Sequence, residues 1–125
     1  MSDIRANRDL TSEERNLVRW MLEHGEPEAV GFLPELDRAQ VLPTRCPCGC
    51  ASINFSIDGK PQASGSMRLI ADFLYGGQSD LCGAFLFVQE ERLSGLEVYG
   101  LAVDAPKTLP LPDMLRPASE TTTHA

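Results

Sequence analysis

Residues 81–88, Leu81-Cys82-Gly83-Ala84-Phe85-Leu86-Phe87-Val88, are nearly all apolar. After Gln89-Glu90-Glu91-Arg92 the chain resumes with Leu93-Ser94-Gly95-Leu96-Glu97-Val98-Tyr99-Gly100-Leu101. A short apolar run bounded by turn residues is the pattern of a strand inside a sheet or covered on both faces. The second run alternates Leu96 and Val98 with Glu97 and Tyr99, which is the period of a strand with one face buried. The four-residue link between them predicts a hairpin.

Working outward, two earlier stretches have the same period. Ile53, Phe55 and Ile57 alternate with Ser52, Asn54, Ser56 and Asp58, and Asp58-Gly59-Lys60-Pro61 supplies a turn. Residues 66–75 read as the next strand, broken by Gly76-Gly77-Gln78-Ser79-Asp80. Short links between successive strands predict an antiparallel meander of about four strands.

The N-terminal third has the helical period. Thr11 followed by Glu14 is a capping-box pattern, and Leu17, Val18, Met21 and Leu22 recur on one face until Gly25. Glu26-Pro27-Glu28 opens a second helical stretch with Val30, Leu33, Leu36 and Ala39 on its apolar side. Pro34 must kink it or start a separate short helix there, because proline lacks the N–H that the helix uses. Val41 and Leu42 form an extended link into Pro43. Helices first and strands after predict an α+β fold, N-terminal helices packed on the sheet. Residues 1–9 read as a flexible lead-in, residues 10–117 as one domain and residues 118–125 as a disordered tail. Pro106, Pro110, Pro112 and Pro117 make the last part of the domain a covering segment, with Leu109, Leu111, Met114 and Leu115 available to pack.

The chain has 125 residues, enough for one core without disulfide staples. Eleven Lys and Arg against eighteen Asp and Glu give a net charge of −7, which opposes nucleic acid and anionic lipid. No apolar run approaches the roughly 20 residues of a membrane span, and Met1-Ser2-Asp3 does not open a signal peptide. The reducing cytoplasm is the expected compartment, where cysteines stay as thiols or bind metal.

Between the two halves lies Arg45-Cys46-Pro47-Cys48-Gly49-Cys50, the most distinctive chemistry in the chain. Along an extended strand, Cα atoms two residues apart are separated by roughly 6 to 7 Å, too far for thiolates to share an ion about 2.3 Å from each sulfur. Pro47 and Gly49 would permit the loop to turn back, and Cys82 is the candidate fourth ligand. Cys46, Cys48, Cys50 and Cys82 are therefore the candidate metal ligands, with zinc the fitting ion. The chain lacks the paired C-x₂-C zinc signature and the redox spacing C-x-x-C. Buried structural thiols, a zinc site and thiol redox chemistry all remain open readings. A catalytic cysteine would need a positioned base, and the only histidines are His24 and His124.

The runs Cys46-Pro47-Cys48-Gly49-Cys50-Ala51-Ser52-Ile53-Asn54-Phe55, residues 83–88, Leu93-Ser94-Gly95-Leu96-Glu97-Val98-Tyr99 and Leu109-Pro110-Leu111-Pro112 resemble a group of small uncharacterised bacterial proteins. In that group a helical start leads to a C-x-C-G-C segment and then a hairpin ending in an LSGLEV-type strand. The resemblance covers residues 10–117. It implies a compact bacterial domain and transfers no catalytic residue, because the group has no assigned activity.

Other constellations are weaker. Gly76-Gly77 lacks the Lys and Ser/Thr of a phosphate loop. Asp72, Glu90 and Glu97 are the candidate acids; Glu97 stands out between apolar neighbours, though alternation alone places it on the solvent face. Tyr75 and Tyr99, near strand ends, could line a pocket, although packing in the core or at the rim is the stronger reading. Trp20 is read as packing against the sheet or second helix. Two functional classes follow. One is a noncatalytic module that binds another protein through its sheet face or acidic surface. The other is a zinc-holding or thiol-redox protein using the four cysteines.

Overall fold

A computed structural model describes residues 7–43, 50–61, 63–101 and 103–118. Its first long element is helix α1 (Ser12–His24), capped as the sequence predicts. The Thr11 hydroxyl accepts from the Glu14 backbone N–H at 3.1 Å, and the Glu14 carboxylate accepts from the Thr11 N–H at 2.9 Å. The helix stops at Gly25, whose φ is −85°. Close approach is the reason for glycine there: an added Cβ would sit 2.5 Å from the Ile70 carbonyl oxygen and 2.7 Å from the Ala71 Cβ.

Beyond Gly25 a 3₁₀ turn (Pro27–Phe32) leads into the four-residue helix α2 (Leu33–Leu36). Pro34 thus starts a separate short helix, where its missing N–H has no helical partner to lose. Val30, expected on the apolar face, is exposed, because the tighter 3₁₀ spacing turns Ala29 inward instead.

The sheet has seven strands rather than about four: β1 (Arg8–Asp9), β2 (Ala39–Val41), β3 (Ile53–Ile57), β4 (Arg68–Tyr75), β5 (Cys82–Gln89), β6 (Arg92–Gly100) and β7 (Arg116–Pro117). Their spatial order is β1-β2-β3-β6-β5-β4-β7, antiparallel at every pairing. The three added strands have two or three residues, too short to show periodicity. Arg8 and Asp9, read as part of a loose lead-in, pair with Val41 and Gln40. Pro117 lies in an edge strand, the position proline tolerates.

The meander is confined to β4, β5 and β6. Strand β3 pairs with β6, two strands away from β4, so the order 3-6-5-4 is a Greek key. Residues 58–67 therefore cross one end of the sheet. They are fastened there by hydrogen bonds from Gln89 to the Gly65 carbonyl at 2.8 Å and from Ser56 to the Lys60 carbonyl at 2.7 Å.

The register divides the sheet into two faces. Ile53, Phe55, Ala84, Leu86, Val88, Leu96 and Val98 share one face with Ala71 and Phe73, and Leu17, Val18, Met21 and Leu22 of α1 join them in a single core cluster. Burying an aliphatic side chain of this size contributes about 1.5–3 kcal/mol, so this face and α1 account for most of the driving force. Trp20 packs on Phe73 with ring centroids 5.1 Å apart and stacks on His24 at 4.2 Å. The opposite face bears Asp72, Leu74, Gly83, Phe85, Phe87, Gly95, Glu97 and Tyr99.

Candidate functional site

Three features of the second face decide its chemistry. The first is a row across the three central strands: register pairs Asp72 on β4 with Phe85 on β5, and Phe85 with Glu97 on β6. Neighbouring strands lie about 4.8 Å apart, so the two acidic residues stand roughly 10 Å apart with the Phe85 ring between them. Phe85 and Glu97 are half-buried and Asp72 is exposed.

The second feature is aromatic cover over glycines. A Cβ at Gly83 would fall 2.3–2.7 Å from the Tyr99 ring end, and one at Gly95 would fall 2.6 Å from the Phe87 ring. Both rings lie flat across a neighbouring strand, filling space that a side chain would otherwise occupy. Tyr99 thereby reaches over β5 towards Asp72 on β4, near enough for each to act on the other's ionisation. Phe85 lies 5.8 Å from the Tyr99 ring and 6.1 Å from the Phe87 ring, making a continuous aromatic strip.

The third is electrostatic. Burial pushes Glu97 above the ordinary carboxylate range, partly offset by the nearby Ser52 hydroxyl. Burial likewise raises Asp72, partly offset by the Tyr99 hydroxyl. Among the described residues neither carboxylate is paired with a cation, so an incoming positive charge is favoured, above all beside half-buried Glu97. Alternation had assigned Glu97 to solvent; its half-burial comes from Phe85 and from Ser52, whose hydroxyl accepts from the Val98 N–H at 2.9 Å. Glu90, the third candidate acid, lies in the β5–β6 turn and pairs with Arg92 at 3.3 Å.

Cys50 and Cys82 lie at the other end of the sheet from that turn. Cys46 and Cys48 lie outside the described residues. Cys50 and Cys82 are both buried, at 3% and 6% exposure. Cys82 opens β5 opposite Gly100, and Cys50 precedes β3 by three residues, so both lie at the end of the sheet where β6 finishes. The Cys82 thiol donates to the Asp80 carbonyl at 3.4 Å, and burial, with the Asp80 charge, raises its pKa, which keeps it protonated. Among the described residues no group of three or more His, Cys, Asp or Glu is arranged to hold a metal ion.

Around the cysteines, the proline-rich segment closes the end of the sheet. The Ala51 N–H donates to the Pro106 carbonyl at 2.9 Å, and Arg116 donates to the Gly76 carbonyl at 3.0 Å. Gly100 permits the return: a Cβ there would lie 1.8 Å from the Val103 carbonyl oxygen. Leu115 is buried and Leu109 half-buried against the core, whereas Leu111 and Met114, expected to cover it, are exposed.

No family model, curated protein or solved structure matches this chain. No helix among the described residues is long and apolar enough to cross a membrane.

Proposed function

We propose that this protein is a noncatalytic binding module whose helix-free sheet face engages a basic segment of a protein partner. The observation that carries the reading is the row Asp72–Phe85–Glu97: two carboxylates, raised by burial, on either side of an aromatic ring. An arginine laid on Phe85 gains a cation–π contact and reaches either carboxylate. The net charge of −7 favours the approach of such a segment over longer range. Asp72 and Glu97 stand roughly 10 Å apart across Phe85, so the arrangement suits recognition better than acid–base chemistry.

The test is an NMR titration of the full chain with an Arg-Ala-Arg peptide, beside an Ala-Ala-Ala control. Saturable shifts confined to Asp72, Phe85, Glu97 and their strand neighbours, lost in a Phe85→Ala variant, would support the face. Diffuse shifts that persist in the variant would remove it.

A second reading keeps the cysteines as a zinc or thiol site. Its support is that Cys50 and Cys82 share one end of the sheet. The ligand set would be Cys46, Cys48, Cys50 and Cys82, holding a structural zinc that fastens the segment before β3 to the start of β5.

A further inference from the structure

A cavity of about 260 Å³ opens between the end of β4, the start of β5 and the proline-rich segment, lined by Tyr75, Asp80, Cys82, Pro106, Leu109 and Met114 among others. Tyr75 is only 7% exposed, and its buried hydroxyl has no hydrogen-bond partner among the described residues. That contrasts with Tyr99, the other tyrosine, which is only half-buried and faces Asp72. A buried hydroxyl left unpaired costs free energy, and it persists where a ligand or an ordered water completes it.

We infer that this cavity is a binding site for a small uncharged organic molecule, with an apolar body and one hydrogen-bond acceptor that takes the Tyr75 hydroxyl. The volume lies near the lower end of pockets that hold small organic ligands. Pro106, Leu109, Pro110 and Met114 form an apolar wall, and methionine adapts to irregular shapes. Val103 and Met114, at 44% and 46% exposure, leave apolar surface at the mouth. Among the described lining residues the charged ones are Asp80 and Asp104, which disfavour an anion.

The two inner groups have different roles. The Tyr75 phenol, buried and protonated at neutral pH, offers a donor. The Cys82 thiol is already committed to the Asp80 carbonyl and contributes shape. The prolines hold the wall in a narrow range of backbone angles, so little order is lost on binding. This site is separate from the row on the helix-free face: Tyr75 pairs with Cys82 on the core side of the sheet.

The experiment is an NMR titration of the full chain with acetophenone, an uncharged acceptor, and with benzoate, its anionic counterpart, on the wild type and Tyr75→Phe. Acetophenone is expected to give saturable shifts at Tyr75, Gly76 and Leu109, with benzoate at least tenfold weaker. Tyr75→Phe should weaken acetophenone about tenfold, the worth of one hydrogen bond, while its melting temperature stays level or rises. Absence of saturable shifts with either probe, or equal affinity in the variant, would overturn the site. A lower melting temperature, or failure to fold, in Tyr75→Phe would also overturn it, since the hydroxyl would then be completed by the protein or by water.

Discussion

Tyr99 on β6 crosses β5 above Gly83 and brings its hydroxyl towards Asp72 on β4, so one side chain spans the three central strands on their helix-free face. The crossing needs a glycine beneath it, and that requirement gives it a testable signature. Gly83→Ala should displace the ring and destabilise the fold by about 1–3 kcal/mol, as overpacking does. In a Tyr99→Ala background the same substitution should cost much less, because the obstructing ring is gone. Additive costs in urea unfolding would show that Tyr99 does not lie over Gly83.

The same side chain acts on the ionisation of Asp72. Tyr99→Phe removes the hydroxyl that opposes the burial-driven rise, so the Asp72 carboxyl should titrate still higher. Carboxyl-carbon NMR across pH 2–8 reads this directly. An unchanged or lower midpoint would contradict the contact.

At the opposite end of β5 and β6 the two-residue turn places Glu90 and Glu91 at φ of 54° and 58°. That is the left-handed conformation a type I′ hairpin requires, and each non-glycine residue there costs roughly 1–2 kcal/mol. Arg68 pairs with Glu91 at 3.0 Å and Arg92 with Glu90 at 3.3 Å, surface pairs that recover only part of it. Replacing the pair by Asn and Gly (Glu90→Asn with Glu91→Gly) should stabilise the protein by about 1 kcal/mol in urea unfolding. A destabilised double variant would mean that the ion pairs outweigh the strain.

At the start of α1, Glu14 is buried, which raises its pKa, but hydrogen bonds from Arg8 and the Thr11 backbone outweigh burial and hold it below the ordinary carboxylate range. Arg8 grips both carboxylate oxygens at 2.9 Å. A depressed folded-state pKa contributes stability above the unfolded value, about 4.3, which is lost as pH falls through the folded value. Glu14→Gln should therefore destabilise strongly at pH 7 and much less at pH 3, by denaturant unfolding at both. An equal loss at both pH values would assign the effect to packing instead.

The cysteine readings separate on metal content. If zinc is held, protein purified without chelator should carry near-stoichiometric zinc that Cys48→Ser loses together with thermal stability. Four thiols titrating after denaturation, with no metal before it, would leave the cysteines as packing residues. In either case Cys82, being buried, should resist iodoacetamide in the native state.

How legible this was depended on element length. Helix α1 announced itself through Thr11, Glu14 and a four-residue apolar stripe, and β5 and β6 through runs of eight and nine residues. Strands β1, β2 and β7 are too short for a period, and their pairing is set by the positions of longer neighbours. The placement of β3 beside β6 was hidden because the 58–61 turn looks the same whether the next strand pairs locally or crosses the sheet. Glu97 stood out as an acid between apolar residues, but its alignment with Phe85 and Asp72 depends on the register of three strands. The Tyr75 cavity depends on the return of residues 103–114 over the end of the sheet, which periodicity does not encode.

The helix-free face is tested most directly by Glu97→Gln, followed for stability and for peptide affinity together. A raised folded-state pKa means that ionised Glu97 opposes folding above its unfolded pKa, and that this opposition fades as pH falls towards that value. Glu97→Gln should raise the melting temperature at pH 7, with the gain shrinking near pH 4, while affinity for the Arg-Ala-Arg peptide falls several-fold. A variant that is less stable at pH 7 and binds the peptide as well as the wild type would contradict a carboxylate held ready for a cation.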